Sequence, residues 1–304
     1  MIQHVLDGIL VGVILSLGAT GLTMVMHIMR FANFSHAEFL SIGAYSALVF
    51  DQFFKVLMPI TAAQIGPLSM TWALVLAIIL AMVVTAVSAV IFDLLIFRRV
   101  REKGEELSMV FASFGLALII RNVIGLVFGL QTKLFSQDIV FAKVLSRDPL
   151  ILVKMDQLGT LIISLMIMLV LHLALSRTTF GFTLRAVAEN PELAQVNGIN
   201  LQQMIVVVWV TGAGLAAVAG VFYGINNQIN PNIGRDLLLP IFAATIVGGI
   251  GSIYGALLGG VVVGLAANLA LLILPSGYSP SVPFLIILLV LIIRPNGLFG
   301  EARV

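Results

Sequence analysis

The strongest constraint in this sequence is a series of long apolar runs that carry almost no charge. A membrane helix needs roughly 20 apolar residues. The first run, Val5–Met29, is uncharged between Asp7 and His27, and the last, from Leu237 to Ile293, holds no charged residue. Lipid cannot satisfy backbone amides, so runs of this kind must be helical. The predicted fold class is therefore all-α: a polytopic membrane protein with about 8–10 transmembrane or broken helices.

We count about nine apolar segments, some of them too short to cross a bilayer at full thickness. The last run divides at two breaks, Gly248–Ser252 and Pro275–Pro283, into Leu237–Val247, Ile253–Ile273 and a final piece. The earlier segments are Val5–Met29, Phe39–Phe54, Met70–Phe92, Leu107–Leu130, Gln157–Ser176 and Ile205–Ile225.

Composition leads to the same class. Of 304 residues, 60% are hydrophobic and only 10% are charged, whereas a soluble domain carries about 25% charged residues. The net charge is +2 with dispersed basic residues, which does not suggest nucleic-acid binding. The absence of cysteine excludes disulfides, thiolate metal sites and cysteine catalysis. No basic region with a cleavage site begins the chain, so the first apolar run is expected to remain as a membrane helix.

Residues 177–204 form the main polar stretch and read as two short amphipathic helices. Thr178 or Thr179 can cap the first helix. Apolar side chains recur on one of its faces at i, i+4 and i+7 spacing. These are Phe180, Leu184 and Val187.

The second short helix has its own start and stop signals. Asn190 is a good N-cap, Pro191 suits the first helical position, and Glu192 complements the positive helix start. Gly198 fits a helix stop. Asn200, with a glutamine three residues on, opens the next helix as a variant of the capping box. A capped, charged element between two apolar runs indicates a docking surface.

At this point the sequence resembles the bacterial ABC importer permeases, and most closely the shorter branched-chain amino acid permease. In that family this stretch is the cytoplasmic coupling loop. The coupling-loop similarity lies in Gly181, Arg185–Asn190, Ala194 and Gly198–Asn200, and three further stretches agree: Asn33–Glu38, Ala244–Ser252 and Arg294–Gly297.

The resemblance implies a single membrane-spanning permease domain over 1–304, multi-pass in the bacterial inner membrane. It implies import of branched-chain or related small amino acids. The implied partners are a second permease, two ATP-binding cassette subunits, an external solute-binding protein and the lipid bilayer, with no nucleic acid. No cofactor is expected in this chain, since ATP and Mg would belong to the ATPase subunits.

By this resemblance, residues 177–204 are the part of the chain that couples to the ATPase. We expect Phe180, Phe182, Leu184 and Val187 to seat in a cleft of the motor subunit, as a helix lies in a groove. Arg185 and Glu189, at i, i+4 spacing, would pair with each other or with the partner. The full set of coupling candidates is Phe180, Phe182, Leu184, Arg185, Val187, Ala188, Glu189, Glu192 and Gly198.

The sequence contains no catalytic signature of its own. No Gly-x-x-x-x-Gly-Lys-Ser/Thr occurs, so the chain cannot split ATP in the P-loop manner. No nucleophile elbow, zinc-binding helix or dinucleotide fingerprint is present. The chain is therefore expected not to be an enzyme, and an ATP-driven motor would be a separate polypeptide.

Topology follows from counting spans. Placing 177–204 and the charge cluster at 98–106 in the cytoplasm puts 131–156 and the N-terminus outside, and the C-terminus inside. The positive-inside rule supports this only partly, because 131–156 carries four basic residues.

A polar cluster between the first two apolar runs is the first candidate for the solute pathway. Its members are Asn33, Ser35, His36 and Glu38. Ionisable groups at depth usually face a cavity, which favours a broken helix lining the conduit. The alternative is a turn with local caps. His36 and Glu38 are too few ligands for a metal site.

A second break, after Leu237–Val247, supplies the other pathway candidates, which are Thr245, Gly248, Gly249 and Ser252. The glycines there favour tight turns or close helix packing, with direct solute contact as the alternative. Paired interruptions in two halves indicate a transport pathway built from broken helices, and we expect this break to correspond to the one at Asn33–Glu38.

Two further features have alternative interpretations. Arg121 could pair with an acidic group or bind an anionic solute, but we favour snorkelling towards the outer headgroups. Small residues from Gly212 to Gly220 are typical of a helix-packing face.

Two alternative functions stay open. One is a urea or short-chain amide importer permease, which would look similar. The other is a stand-alone secondary carrier or channel, since broken helices alone would fit it.

Overall fold

A computed structural model describes residues 1–104, 106–136, 142–147, 150–294 and 296–299. The described part of the chain forms eleven α-helices and one short β-hairpin. The helices are α1 (Ile2–Met29), α2 (His36–Leu57), α3 (Trp72–Arg101), α4 (Glu106–Phe128), α5 (Met155–Arg177), α6 (Thr179–Glu189), α7 (Pro191–Val196), α8 (Leu201–Asn226), α9 (Ile233–Gly248), α10 (Ile253–Ala270) and α11 (Val282–Ile293). Short 3-10 helices cover Pro59–Ala62 and Ser276–Ser281.

Seven of the described helices are long and apolar enough to cross a membrane: α1, α2, α3, α4, α5, α8 and α10. The 16 residues of α9 and the 12 of α11 span only about 24 and 18 Å at 1.5 Å per residue. A hydrocarbon core is about 30 Å thick, so these two are partial spans. The predicted polytopic all-α class, with full and broken helices, is confirmed.

Most of the membrane helices run longer than their apolar runs, and α2 and α3 are two examples. α2 begins at His36, three residues before the predicted run, so His36 and Glu38 lie on the helix. α3 continues past Phe92 through a π-helical turn, Asp93–Phe97, to Arg101. The first part of the charge cluster at 98–106 is thus helix, because backbone hydrogen bonding persists where hydropathy stops.

The hairpin, which lies within residues 131–156, is not predicted by the sequence. β1 (Lys143–Arg147) pairs antiparallel with β2 (Leu150–Val153), in a register that sets Lys143 opposite Val153. A bulge lies between Val144 and Ser146. The alternation is short and irregular, which hides it from a period-two search.

The helices α1 and α8 form the buried centre of the bundle. They approach closely because glycines face each other: a Cβ on Gly21 would lie 2.6 Å from the Gly212 carbonyl oxygen. Further along α8, a Cβ on Gly220 would overlap the Leu40 carbonyl, and Ala217 lies against Gly43. The predicted small-residue packing face of α8 is confirmed at these positions.

The bundle contains two halves with the same pattern of helix contacts. Their first helices, α1 and α8, run in opposite directions, because α1 ends beside Ala188 of α6 and α8 begins where the segment 177–204 ends. In the first half α2 packs on α3, and in the second half α9 packs on α10. Each half also packs its first helix on the third helix of the other half: α1 on α10, and α8 on α3. Each half enters its second helix through an asparagine turn: Asn33 Oδ1 accepts from Ser35 N at 3.1 Å, and Asn230 Oδ1 accepts from Asn232 N at 2.8 Å. The break that corresponds to Asn33–Glu38 is therefore the turn before α9. Our expectation that it is Gly248–Ser252 is wrong, since that turn joins α9 to α10.

Contacts at the helix ends establish which segments share a side. Gln3 exchanges two 3.0 Å hydrogen bonds with the backbone of Leu152, so the N-terminus and the hairpin lie together. Arg30, at the other end of α1, donates to the Ala188 carbonyl of α6 at 3.3 Å. The hairpin strands and the segment 177–204 therefore lie at opposite ends of α1, which agrees with the predicted topology. Which side is cytoplasmic stays a prediction.

Candidate functional site

The segment 177–204, called here the coupling segment, folds into α6, α7 and the start of α8. Asn190 caps α7 through a 3.0 Å hydrogen bond from Leu193 N, with Pro191 at the first position. Gly198 follows the helix with φ of 87°. Asn200 caps α8 by accepting from Gln203 N at 3.1 Å. These predicted starts and stops are confirmed.

The start of α6 differs from the prediction. Thr178 occupies the N-cap position, but its hydroxyl donates back to the Ala174 carbonyl of α5 instead of capping α6. α6 turns back so tightly across the end of α5 that a Cβ on Gly181 would overlap the Leu175 carbonyl group. Glycine is therefore required at the bend between the two helices.

Arg185 holds this bend. Its Nη1 donates to the Leu175 carbonyl at 3.1 Å, and its guanidinium lies 4.9 Å from the Phe182 ring centroid. Of the two pairings expected for Arg185, the one with Glu189 within the helix is not formed, because Arg185 instead donates to a free carbonyl at the C-terminal end of α5. Pairing with a partner stays a prediction. Glu189 is exposed on α6.

The amphipathic face of α6 points into the chain itself. Leu184 is 4% exposed, Val187 and Ala188 are buried as well, and Phe180 is half-buried. The expectation that Leu184 and Val187 seat in a partner's cleft is wrong, because they pack the coupling segment onto the membrane helices. A partner would meet other side chains: Phe182 is 61% exposed, and Leu193 and Val196 on α7 are exposed too. Glu192 and Gly198 are also exposed.

A second candidate site lies where α2, α4 and α9 meet. Arg121 donates to Glu38 Oε1 through Nε at 3.0 Å and Nη2 at 2.5 Å. The Glu38 side chain is 1% exposed. Ser41 Oγ links this carboxylate to α9: it lies 3.4 Å from Glu38 Oε2 and accepts from Gly234 N at 3.0 Å.

This ion pair corrects the favoured interpretation of Arg121 as a snorkelling residue. Arg121 lies about 22 Å along α4 from its first residue, at 1.5 Å per residue, which is well inside the span. A guanidinium at that depth is stabilised by a buried carboxylate rather than by distant headgroups. Asp236, on the first turn of α9, adds an electrostatic interaction with Arg121. We call Glu38, Arg121 and Asp236 the mid-membrane charge cluster.

The other pathway candidates have packing roles in this conformation. Asn33 and Ser35 form a local cap: Ser35 Oγ donates to Asn33 Oδ1 at 2.7 Å, and both side chains are fully buried. The ring of His36 is buried against α1, where a Cβ on Gly21 would lie 3.1 Å from its Nε2. The structure therefore shows the alternative of a turn with local caps, and a conduit role for these residues stays a prediction.

The break after α9 is a tight, closely packed turn. Thr245 is buried and donates to the Ala19 carbonyl at 3.4 Å. A Cβ on Gly248 would overlap the Gly255 carbonyl, Gly249 has φ of 105°, and Ser252 caps α10 by accepting from Gly255 N at 3.0 Å. The interpretation of these residues as turn and packing groups fits this geometry.

The backbone of Leu298 and Phe299, near the C-terminus, contacts the same turn. Leu298 N donates to the Val247 carbonyl at 2.8 Å, and Phe299 N donates to the Gly248 carbonyl at 3.1 Å. The sequence carried no signal for this contact beyond the glycine at 297, whose φ is 76°. Asp236 was also missed, because it directly precedes the apolar run that begins at Leu237 and so belongs to a polar segment of the sequence.

Seven apolar spans, two partial helices and a pair of inverted halves define a multi-pass membrane protein of the transport class. A family model described as the permease component of the branched-chain amino acid transport system matches residues 4–293. The chain belongs to this family, which is a family of permeases and not of enzymes.

Individual permeases of this family align with the chain over nearly their full length. The chain is 30% identical to the high-affinity branched-chain amino acid transport system permease protein LivH of Salmonella typhimurium, covering 100% of this chain and 96% of the relative. It is 31% identical to BraD of Pseudomonas aeruginosa, a permease of the same description, over 100% and 97%. A solved structure, PsaBC from Streptococcus pneumoniae in complex with Fab, covers 96% of this chain and 92% of that chain. The TM-score is 0.44 and the sequence identity is 12%.

Proposed function

We propose that this chain is the membrane-spanning subunit of an ATP-driven importer for branched-chain amino acids, located in the bacterial inner membrane. The observation that carries the proposal is the coupling segment: α6 is packed on the bundle through the buried Leu184 and Val187, yet α6 and α7 present Phe182 and Val196 outward. A firmly mounted element with an exposed apolar edge can receive force from another protein without deforming.

The force would come from two ATP-binding cassette subunits that bind ATP and Mg. The family membership and the names of the full-length relatives support a transport system of several components, and they favour branched-chain amino acids over urea or short-chain amides. An external binding protein would deliver the solute. Closure of the ATPase pair would then bias the permease between two conformations.

The second permease would cover the face that carries the mid-membrane charge cluster. Arg121 is partly exposed, and Arg235 and Asp236 are exposed on this chain alone. Charged side chains at membrane depth face protein or a water-filled cavity and not lipid. This face would therefore form one wall of the solute path, with the second subunit forming the other.

Reconstitution tests the proposal directly. The chain is placed in proteoliposomes with a second permease and an ATPase pair from the same organism, and the binding protein is added outside. We expect leucine uptake that requires ATP and every component. Uptake by vesicles that contain this chain alone, driven by an ion gradient, would instead show a secondary carrier.

A further inference from the structure

A cavity of about 230 Å³ lies at the end of the bundle that carries the coupling segment. Its lining comes from four helices and the turn between α3 and α4. The lining residues are Ile28, Met29 and Arg30 at the end of α1, Arg101 at the end of α3, Gly104 in the turn, Met109 near the start of α4, and Pro191 at the start of α7. Three membrane helices begin or end here, so the cavity lies at the level where a bilayer presents its headgroups.

Arg101 is poorly neutralised in this cavity. Its Nη1 lies 3.1 Å from the Met29 sulfur and 3.4 Å from Asp93 Oδ1, which is a long ion pair. Its Nη2 is buried and has no hydrogen-bond partner. Leaving a donor of a charged group buried and unpaired is costly, and the Arg101 guanidinium lacks an acceptor in this conformation.

Arg30 supplies a second cation with an unusual backbone. Among the described residues it is the only one other than glycine with a positive φ, which is 56°. Glycine is the ordinary residue at such a helix end. An arginine there therefore indicates that its side chain makes an interaction that glycine could not make. That side chain lines the cavity and donates to the Ala188 carbonyl of α6.

We propose that this cavity binds a phosphate group, presented either by an anionic phospholipid or by free inorganic phosphate. Planar guanidinium groups donate paired hydrogen bonds to phosphate oxygens, and basic pockets between membrane helices bind anionic headgroups. Since Arg30 also contacts α6 and Pro191 begins α7, the bound phosphate joins α1 and α3 to the coupling segment. The site is separate from the solute path and does not depend on which solute is carried.

The test uses the purified full-length chain and two probes. Inorganic phosphate is titrated against the chain in a zwitterionic detergent, and retained lipid is measured by native mass spectrometry after release from nanodiscs of phosphatidylcholine with or without phosphatidylglycerol. We expect saturable binding of at least one probe. Binding of phosphatidylglycerol alone identifies a headgroup site, and binding of phosphate alone identifies a site for a soluble anion.

Three variants separate a built site from general attraction. Arg30→Gly removes one cation while keeping a residue that tolerates the backbone, and Arg101→Gln removes the other. Each should weaken binding by about tenfold, equivalent to about 1.4 kcal/mol. Arg99→Gln is the matched control, because Arg99 is exposed on the same helix and does not line the cavity. The proposal is overturned if neither probe binds, if Arg30→Gly binds as well as the unaltered chain, or if Arg99→Gln loses as much affinity.

Discussion

Arg121 on α4 and Glu38 on α2 form an ion pair inside the membrane, in which Arg121 Nε and Nη2 both donate to Glu38 Oε1. The Glu38 side chain is 1% exposed. Removing one partner of a buried pair leaves an uncompensated charge and typically costs about 3–5 kcal/mol. Replacing both partners with uncharged groups is often neutral. The pair therefore predicts a clear difference between single and double variants.

We expect Arg121→Met alone to lower the free energy of unfolding by about 3 kcal/mol, and the double variant Arg121→Met with Glu38→Gln to recover most of the loss. The measurement is denaturant unfolding in detergent, followed by fluorescence of the buried Trp209. Equal losses in the single and double variants would contradict this prediction, because they would show that the unpaired Glu38 carboxylate is not what destabilises Arg121→Met.

Close packing between α2 and α8 predicts a contrast between two helical glycines. A Cβ on Gly43 would overlap the backbone of Ala217, whereas a Cβ on Gly115 meets nothing within 4 Å. We expect Gly43→Ala to destabilise the chain by about 1–3 kcal/mol through overpacking. Gly115→Ala should stabilise it by about 0.5–1 kcal/mol, because alanine is the better helix former. Thermal unfolding of both variants measures the two changes in stability, which are expected to have opposite signs.

Burial predicts two kinds of defect in the coupling segment. Phe182→Asp alters an exposed side chain, so this variant should enter the membrane and unfold normally but lose ATP-dependent uptake. Leu184→Asp places a carboxylate at a position only 4% exposed, so it should lose several kcal/mol of stability as well. Uptake, together with the fraction that elutes as folded protein in detergent, distinguishes them. Normal uptake by the Phe182 variant would exclude that residue from the docking surface.

Local signals made α7 and the turns around it predictable from sequence. Asn190, Pro191 and Gly198 act on backbone groups within a few residues, so their roles can be inferred without knowing the fold. Hydropathy likewise located the spans, because lipid forces every apolar run into a helix.

The errors involve partners distant in the sequence. Arg121 and Glu38 are 83 residues apart, and the burial of Leu184 depends on packing between α6 and the membrane helices. An amphipathic pattern shows that a face is buried, but not whether the same chain or a partner buries it. The matching of Asn33 with Asn230 required geometry, since the two turns share little sequence beyond the asparagine.

The cap at Asn190 predicts a local effect on α7. Its Oδ1 accepts from Leu193 N at 3.0 Å, and loss of such a cap costs about 1 kcal/mol. Asn190→Ala should therefore raise amide hydrogen exchange in residues 192–196 by about fivefold while leaving the exchange of α8 unchanged. Asn190→Asp, which keeps the acceptor, is the matched control and should protect α7 as the unaltered chain does. If alanine and aspartate gave the same exchange rates, the side-chain cap would not be what holds α7, and its order would have to come from the packing of Ala194, which is buried beneath it.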